Sequence, residues 1–145
     1  MAQVNARDWI FEVSEDPSAA TPVWAEVGGL ESFTLSNSEG EETTDTTTFT
    51  SGGNAESQVM QRGASCSLDG KLVQADAGQA AVDALAVLTG EDSLGGFRFR
   101  HTEDTDWTVW TAWVSKSDTG GGRNDKTSWG ASFTRSGAAS TAVVV

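Results

Sequence analysis

The chain has 145 residues, the length of one domain, and carries 21 acidic against nine basic residues, for a formal net charge of −12. A surface this negative repels phosphate groups and anionic lipid, so tight binding of nucleic acid or of a membrane is disfavoured, although the charge also serves plain solubility. A single cysteine excludes an intrachain disulfide and a cysteine-based zinc cluster. The start of the chain lacks the apolar core of a signal peptide, and no apolar run approaches ~20 residues, so we expect a protein without a membrane segment that is made and assembled in a cytoplasm.

The first quarter of the chain alternates between apolar and polar side chains, as β-strands do. Residues 9–13 place three large side chains on one face, and this strand ends at Asp16-Pro17. Residues 21–27 are predicted to form its hairpin partner, which Gly28-Gly29 terminates. Residues 32–35 resume the alternation, with Phe33 and Leu35 predicted to face inward.

The alternation disappears in a long segment at residues 37–54. This segment is acidic and threonine-rich, and Phe49 is its single large apolar residue. A structureless loop of this size is uncommon inside a compact domain and is usually functional or disordered. Its threonines favour extended structure but bury nothing, so we expect the loop to become ordered against a partner.

Residues 58–72 are predicted to be extended again, with Ala64, Cys66 and Leu68 on one face. Because Cys66 shares the face of apolar neighbours, it is interpreted as a small buried hydrophobic residue and not as a reactive thiol.

One helix is predicted, from about residue 77 to residue 88. Asp76 suits its N-cap, Gln79 completes a pair resembling a capping box, and Gly90 suits the C′ position. Apolar side chains at i, i+3 and i+4 spacing form one stripe, made of Ala81, Val82, Leu85 and Leu88. We expect this helix to cover a sheet.

The second half of the chain returns to strands. Residues 97–100 alternate strictly, and residues 105–114 carry bulky side chains on both faces, which is typical of a central strand or of one covered by another chain. A flexible loop at 118–125 precedes a last inward-facing run at 129–133. The predicted fold is therefore mainly β, a β-sandwich or partly open barrel of about seven or eight strands with one inserted helix. It is predicted to be a single domain over residues 1–145, with an N-terminal arm at 1–7, the loop at 37–54 and a C-terminal arm at 136–145.

None of the candidate chemical sites satisfies the requirements of its chemistry. His101 is the only histidine, and its place in a polar turn predicts a solvent-exposed hairpin residue and not a general base. The acidic runs lack the ligand spacing of an EF-hand, and the glycines at 120–122 lack the Gly-Lys-Ser/Thr of a phosphate loop. We therefore predict no catalytic, cofactor or metal site and no enzyme activity. A sugar-binding sandwich stays open as a minor alternative, because the chain has six tryptophans.

Four features of the sequence follow one another in an order that points to a family. They are the start Trp9-Ile10-Phe11, the transition at 35–42 into the acidic loop with Phe49-Thr50-Ser51-Gly52-Gly53, the strand at 64–72 leading to the helix start at 76–79, and the segment 113–129 with its Gly-Gly-Gly-Arg-Asn-Asp loop. In these features, and over essentially its whole length, the chain resembles the major tail protein (tail tube) family of long non-contractile bacteriophage tails, particularly those of actinobacterial phages.

The resemblance implies a structural virion protein located in the tail. It implies a subunit that forms homohexameric rings, stacked head to tail into a tube whose lumen conducts DNA without binding it specifically. It also implies tape-measure, tail-tip and tail-terminator proteins as partners. A negative lumen would repel DNA and let it slide.

Segments that find no core of their own are the natural connectors between subunits. The predicted interface residues are Glu39, Glu41, Glu42, Asp45, Thr48, Phe49, Val143, Val144 and Val145. Two further alternatives remain beside the sugar-binding sandwich: the tube of a contractile or secretion-type injection machine, and a capsid decoration protein.

Overall fold

The computed structural model describes residues 3–15, 22–38 and 40–144, so the predicted strand end at Asp16-Pro17 lies outside the described residues. Six strands precede the helix: β1 (Trp9–Ser14), β2 (Ala25–Glu26), β3 (Leu30–Ser36), β4 (Glu42–Asp45), β5 (Ser57–Gln61) and β6 (Ser65–Lys71). The helix α1 (Ala77–Leu85) is followed by β7 (Gly95–His101), β8 (Asp106–Lys116), β9 (Ser128–Arg135) and β10 (Ser140–Val143). No described helix is long and apolar enough to cross a membrane.

Eight of the strands form one antiparallel sheet in the order β2-β1-β7-β8-β9-β6-β3, with β10 alongside β8. β8 is central because it pairs with β7 on one edge and with β9 and then β10 along the other. This is the position predicted from the bulky residues on both of its faces. The remaining strands, β4 and β5, pair with each other as a separate two-stranded sheet.

The main sheet curls around an aromatic core. Phe97 of β7 stacks on Phe133 of β9 with ring centroids 4.1 Å apart. Phe33 of the edge strand β3 lies 5.0 Å, centroid to centroid, from Phe11 of β1, near the other edge of the same sheet. The sheet therefore folds back on itself, yet no hydrogen bonds join the edge strands β2 and β3 in the described part of the chain. The predicted mainly β, partly open architecture with one helix is confirmed.

Helix α1 lies against the open side of the curled sheet. Asp76 caps it as predicted, since its carboxylate accepts a hydrogen bond from the backbone N–H of Gln79 at 2.9 Å. Gly78 permits close contact with β2, because a Cβ there would lie 2.2 Å from the carbonyl oxygen of Glu26. The helix ends at Leu85, about three residues before the predicted end. Leu85 is the last side chain of the stripe to reach the core, whereas Leu88 is exposed (45%) after the chain has turned away.

Three strand predictions need correction. The hairpin partner predicted at 21–27 is hydrogen-bonded to β1 as a strand only over Ala25–Glu26. The continuous strand predicted over 58–72 is two strands, β5 and β6, separated by residues 62–64. The loop predicted to be structureless at 37–54 contains β4 and a 3₁₀ turn, Phe49–Ser51. Phe33 and Leu35 face the core as predicted but are only half-buried, because β3 is an edge strand.

Cys66 is fully buried in β6 between Leu35 and Phe133, which confirms its interpretation as a core residue. Burial raises the pKa of its thiol to about 12. Because the thiolate is the reactive form, we expect the native protein at about pH 8 to be inert towards a maleimide over hours. Protein unfolded in guanidinium is the control and should react with one equivalent. Rapid labelling of the native protein would show that this part of the sheet opens readily.

Candidate assembly surfaces

The β4–β5 hairpin forms a two-stranded sheet of its own, separate from the main sheet. Its register pairs Thr43 with Val59 and Asp45 with Ser57, with a bulge next to Glu42. Every residue of both strands is exposed. A two-stranded hairpin without a packed face is marginally stable alone in water, so this element has the properties of one that is stabilised by a partner.

The tip of the hairpin is nevertheless held in a defined turn. Thr46 donates its N–H to the carbonyl oxygen of Glu56 at 3.0 Å, and Glu56 returns an N–H to the hydroxyl of Thr47 at 2.8 Å. The side chain and then the backbone N–H of Thr47 hydrogen-bond the carboxylate of Asp45, which lowers the pKa of that exposed group. The tip therefore presents a fixed negative charge.

The hairpin also carries apolar side chains in water. Phe49 at the tip is fully exposed, and Val59 and Met60 of β5 are exposed as well. Solvation of such groups is unfavourable, and covering them would contribute about 25 cal/mol for each Å² of apolar surface. Charge and apolar surface together indicate a protein-binding element.

The structure places most of the predicted interface residues on this hairpin. Glu41, Glu42, Asp45, Thr48 and Phe49 lie on it or at its base, all of them exposed. Glu39 and Val145 lie outside the described residues, and nothing in the structure bears on them. Whether these residues contact another subunit stays a prediction.

The C-terminal segment lies on the chain's own sheet. β10 pairs with the first half of β8, with Val143 opposite Asp106, and Val144 donates its N–H to the carbonyl oxygen of Thr105 at 3.0 Å. The side chain of Val143 is still exposed (73%). The N-terminal segment ends beside the same turn, since Thr102 donates its N–H to the carbonyl oxygen of Asp8 at 3.0 Å. Both terminal segments thus flank the 102–105 turn.

The hairpin and the 117–127 loop lie at opposite ends of one strand pair. β6 begins at Ser65, directly after the hairpin, and ends at Lys71, which pairs with Ser128 at the start of β9. Just beyond β6, Leu72 donates its N–H to the carbonyl oxygen of Thr127 at 2.9 Å. We call the end of the β6–β9 pair next to Ser65 the hairpin end, and the end next to Lys71 and Ser128 the loop end. The seven residues of β6 separate them by about 23 Å.

The outer face of the sheet holds a stacked cation. The guanidinium of Arg98 lies 4.4 Å from the ring centroid of Trp24 and 4.3 Å from that of Trp107. Its Nε donates to the carboxylate of Glu12 at 2.8 Å. These ring faces are already covered, and Trp113 is the only tryptophan in the exposed class (44%). A sugar would find one available ring, which weakens the sugar-binding alternative.

His101 was predicted to be a solvent-exposed residue, and this is only partly right. Its ring is half-buried, packs 5.6 Å from the centroid of Trp9, and places Nε2 2.7 Å from a carboxylate oxygen of Asp104. Its Nδ1 accepts the N–H of Glu103 at 3.2 Å. Both ring nitrogens therefore contact polar groups of the 101–105 turn. Among the described residues, no group of three or more His, Cys, Asp or Glu side chains is arranged to hold a metal ion.

The cations of the 117–127 loop were not among the predicted site residues. Arg123 and Lys126 are exposed there, and among the described residues neither forms an ion pair. A local signal existed, because this is a short stretch with two cations in a chain with only nine. Its position opposite the hairpin depends on the long-range pairing of β6 with β9.

The fold is shared with tail proteins over the whole length of the chain. A chain of the tail of an empty gene transfer agent particle with C6 symmetry matches with a TM-score of 0.74 and 22% identity. A chain of the virion of a native gene transfer agent particle matches with a TM-score of 0.73 and 20% identity, and both alignments cover 98% of this chain and 100% of the other. The chain therefore has a tail-tube fold.

A similar fold occurs in a contractile machine. A chain of the PVC sheath–tube complex of an extracellular contractile injection system, in its extended state, matches with a TM-score of 0.61 and 10% identity, over 98% of this chain and 93% of its own. No protein-family profile matches the sequence, and no curated protein does.

Proposed function

We propose that this chain is a structural virion protein, the subunit of a tail tube, and that it polymerises as stacked hexameric rings. The observation that carries the proposal is the end-to-end match of its fold to a chain of a gene transfer agent tail with C6 symmetry. That tail has C6 symmetry, and the match covers 98% of this chain and 100% of the other.

The exposed hairpin supports polymerisation on independent grounds. A surface that joins identical copies without closing on itself must be heterologous, so two different patches of each subunit meet. The hairpin provides one exposed patch with charged and apolar side chains at one end of the β6–β9 pair. Tube growth requires a second patch elsewhere on the same subunit.

The net charge of −12 suits a tube that conducts DNA without retaining it. A lumen with excess carboxylates repels the phosphate backbone, whereas a basic lumen would bind it and release counterions. On this proposal the protein is located in the tail of the virion after assembly in the host cytoplasm. Its other partners would be tape-measure, tail-tip and tail-terminator proteins.

Electron microscopy of the purified protein in negative stain tests the proposal. We expect hollow filaments with a regular ring repeat and sixfold symmetry in end views. Monomers or trimers at every concentration, without filaments, would contradict the proposal and favour a capsid decoration protein.

A second candidate is the tube of a contractile injection system, which the match to the PVC sheath–tube complex favours. The two candidates differ in what covers the tube. If filaments of this protein bind a purified sheath protein from the same source and become decorated along their length, the contractile alternative is correct. We prefer the uncovered tail because the sequence resembles the tail tube family of non-contractile tails.

A further inference from the structure

The carboxylates of the hairpin form no ion pairs with the described residues of the chain. Glu41, Glu42, Asp45 and Glu56 are exposed, and none of them forms an ion pair in the described part of the molecule. The hairpin has one cation, Arg62, directly after β5. The hairpin therefore presents excess negative charge together with the exposed ring of Phe49.

The loop end carries cations, in a loop that also holds the carboxylates of Asp118 and Asp125. Of the three lysines, Lys71 pairs with Glu31 at 3.3 Å and Lys116 pairs with Asp83 at 2.9 Å. Lys126 has no ion pair among the described residues, and neither has Arg123. Next to them the apolar side chains of Leu72 and Val73 are exposed.

The loop that carries these cations has a defined shape. Gly122 donates its N–H to the carboxylate of Asp125 at 3.1 Å, and Asp125 donates its N–H to the carbonyl oxygen of Gly122 at 3.0 Å. Ser128 closes the loop by donating its N–H to the carbonyl oxygen of Gly120 at 2.8 Å. The loop borders an open groove of about 500 Å³, lined by Lys71, Gly120, Gly121, Asn124, Asp125, Lys126 and Ser128.

The hairpin and this surface lie apart within one molecule. They flank opposite ends of β6, about 23 Å apart, and in the described part of the chain neither strand of the hairpin pairs with the main sheet. A second copy that is translated along the direction of β6 brings the two surfaces together. The contact is then heterologous and can be repeated indefinitely.

We propose that the β4–β5 hairpin of one copy docks on the loop end of the next copy. The hairpin carboxylates pair with Arg123 and Lys126, and Phe49 covers Leu72 and Val73. This inference rests on the proposed function, because it names the surface that receives the hairpin in a stack. The proposed contact explains why Lys126, which has no ion pair among the described residues, lies near the exposed side chains of Leu72 and Val73.

Zero-length carbodiimide crosslinking of the wild-type protein tests the contact directly, because it joins a lysine to a carboxylate only when the two touch. The protein is mixed from heavy-isotope-labelled and unlabelled halves, concentrated and crosslinked, and its peptides are analysed by mass spectrometry. We expect Lys126 joined to Glu41, Glu42, Asp45 or Glu56 in isotopically mixed pairs. Lys71–Glu31 and Lys116–Asp83 are internal controls and should appear as unmixed pairs.

The crosslinking gives a result whether or not tubes form. If the two control pairs appear and Lys126 has no mixed link to the hairpin, the docking proposal is overturned. If the mixed links appear but microscopy finds no tubes, the contact is correct and the proposed function has failed. The two failures are therefore distinguishable.

Charge reversal is the second test, and it is designed so that function can be rescued. We expect Glu42→Lys/Asp45→Lys and Arg123→Glu/Lys126→Glu each to raise the concentration needed for tube formation about tenfold or more. The variant with all four changes should recover most of the loss. Glu91→Lys/Asp92→Lys, an equal charge change at another exposed site, should assemble as wild type does. Normal assembly of Arg123→Glu/Lys126→Glu would refute the proposal.

Discussion

Replacing residues 41–60 with an Asn-Gly turn should abolish tube formation and leave the curled sheet folded. Gln61 donates its side-chain N–H to the carbonyl oxygen of Gly40 at 3.1 Å, so the two ends to be joined are already adjacent. The hairpin contributes no residue to the core, and we expect its removal to change the free energy of unfolding by less than about 1 kcal/mol. The loss of tubes is expected to be complete, since each subunit would lack one of its two stacking surfaces. Negative-stain microscopy and thermal unfolding measure the two effects.

The boundaries of this replacement matter. A smaller deletion of residues 41–48 would remove β4 and leave β5 without a hydrogen-bonding partner, so loss of tubes could reflect an exposed, aggregating strand. The matched control keeps the hairpin at full length and changes only Thr43 and Thr44 to Val. Such a variant should retain β structure and still assemble. Regular tubes from the hairpin-free protein would show that stacking uses other surfaces.

The sheet and its core could be predicted because their signals are local. Alternation of apolar side chains at 9–13 and 129–133 reports burial on one face, and the structure buries Phe11, Val13 and Phe133. The helix start followed from the capping chemistry of Asp76, which depends on neighbours three residues away. The helix end was misplaced, because Leu88 continues the spacing of the stripe after the chain has left the core.

The hairpin could not be predicted by the same method. Strand patterns in a sequence report burial against the chain's own core, and β4 consists of Glu42, Thr43, Thr44 and Asp45, which bury nothing. Backbone hydrogen bonds hold β4 to β5, and the periodicity of side chains along the sequence does not report such bonds. A strand that is covered only by another molecule therefore has the sequence pattern of a loop.

The receiving surface shows a further limit of sequence-based prediction. The candidate connectors were found because they are irregular or apolar, whereas Arg123 and Lys126 lie in an ordinary polar loop. Their significance appears only once the pairing of β6 with β9 puts them at the end opposite the hairpin. Register over more than 50 residues of intervening chain is a property of the packed fold, which no short pattern encodes.

The loop end itself depends on one buried amide, that of Gln79. This side chain is 1% exposed, yet all of its hydrogen-bonding groups have partners. Its Oε1 accepts the N–H of Val73 at 2.9 Å, and its Nε2 donates to the carbonyl oxygens of Gly28 at 2.8 Å and Lys71 at 2.9 Å. One amide thus joins helix α1 to the segment after β2 and to the end of β6.

Gln79→Leu should therefore be strongly destabilising even though it introduces an apolar residue into an apolar site. It leaves one N–H and two carbonyl oxygens of partly buried backbone without their hydrogen bonds to the amide, and each group that loses its partner costs about 1–3 kcal/mol. We expect a loss of about 3–5 kcal/mol and a fall in Tm of about 8–15 °C, measured by calorimetry. Gln74→Leu, at an exposed position of the preceding turn, is the control and should stay within about 0.5 kcal/mol of wild type. An unchanged Tm for Gln79→Leu would mean that water replaces the amide, and that the loop end is held by the sheet alone.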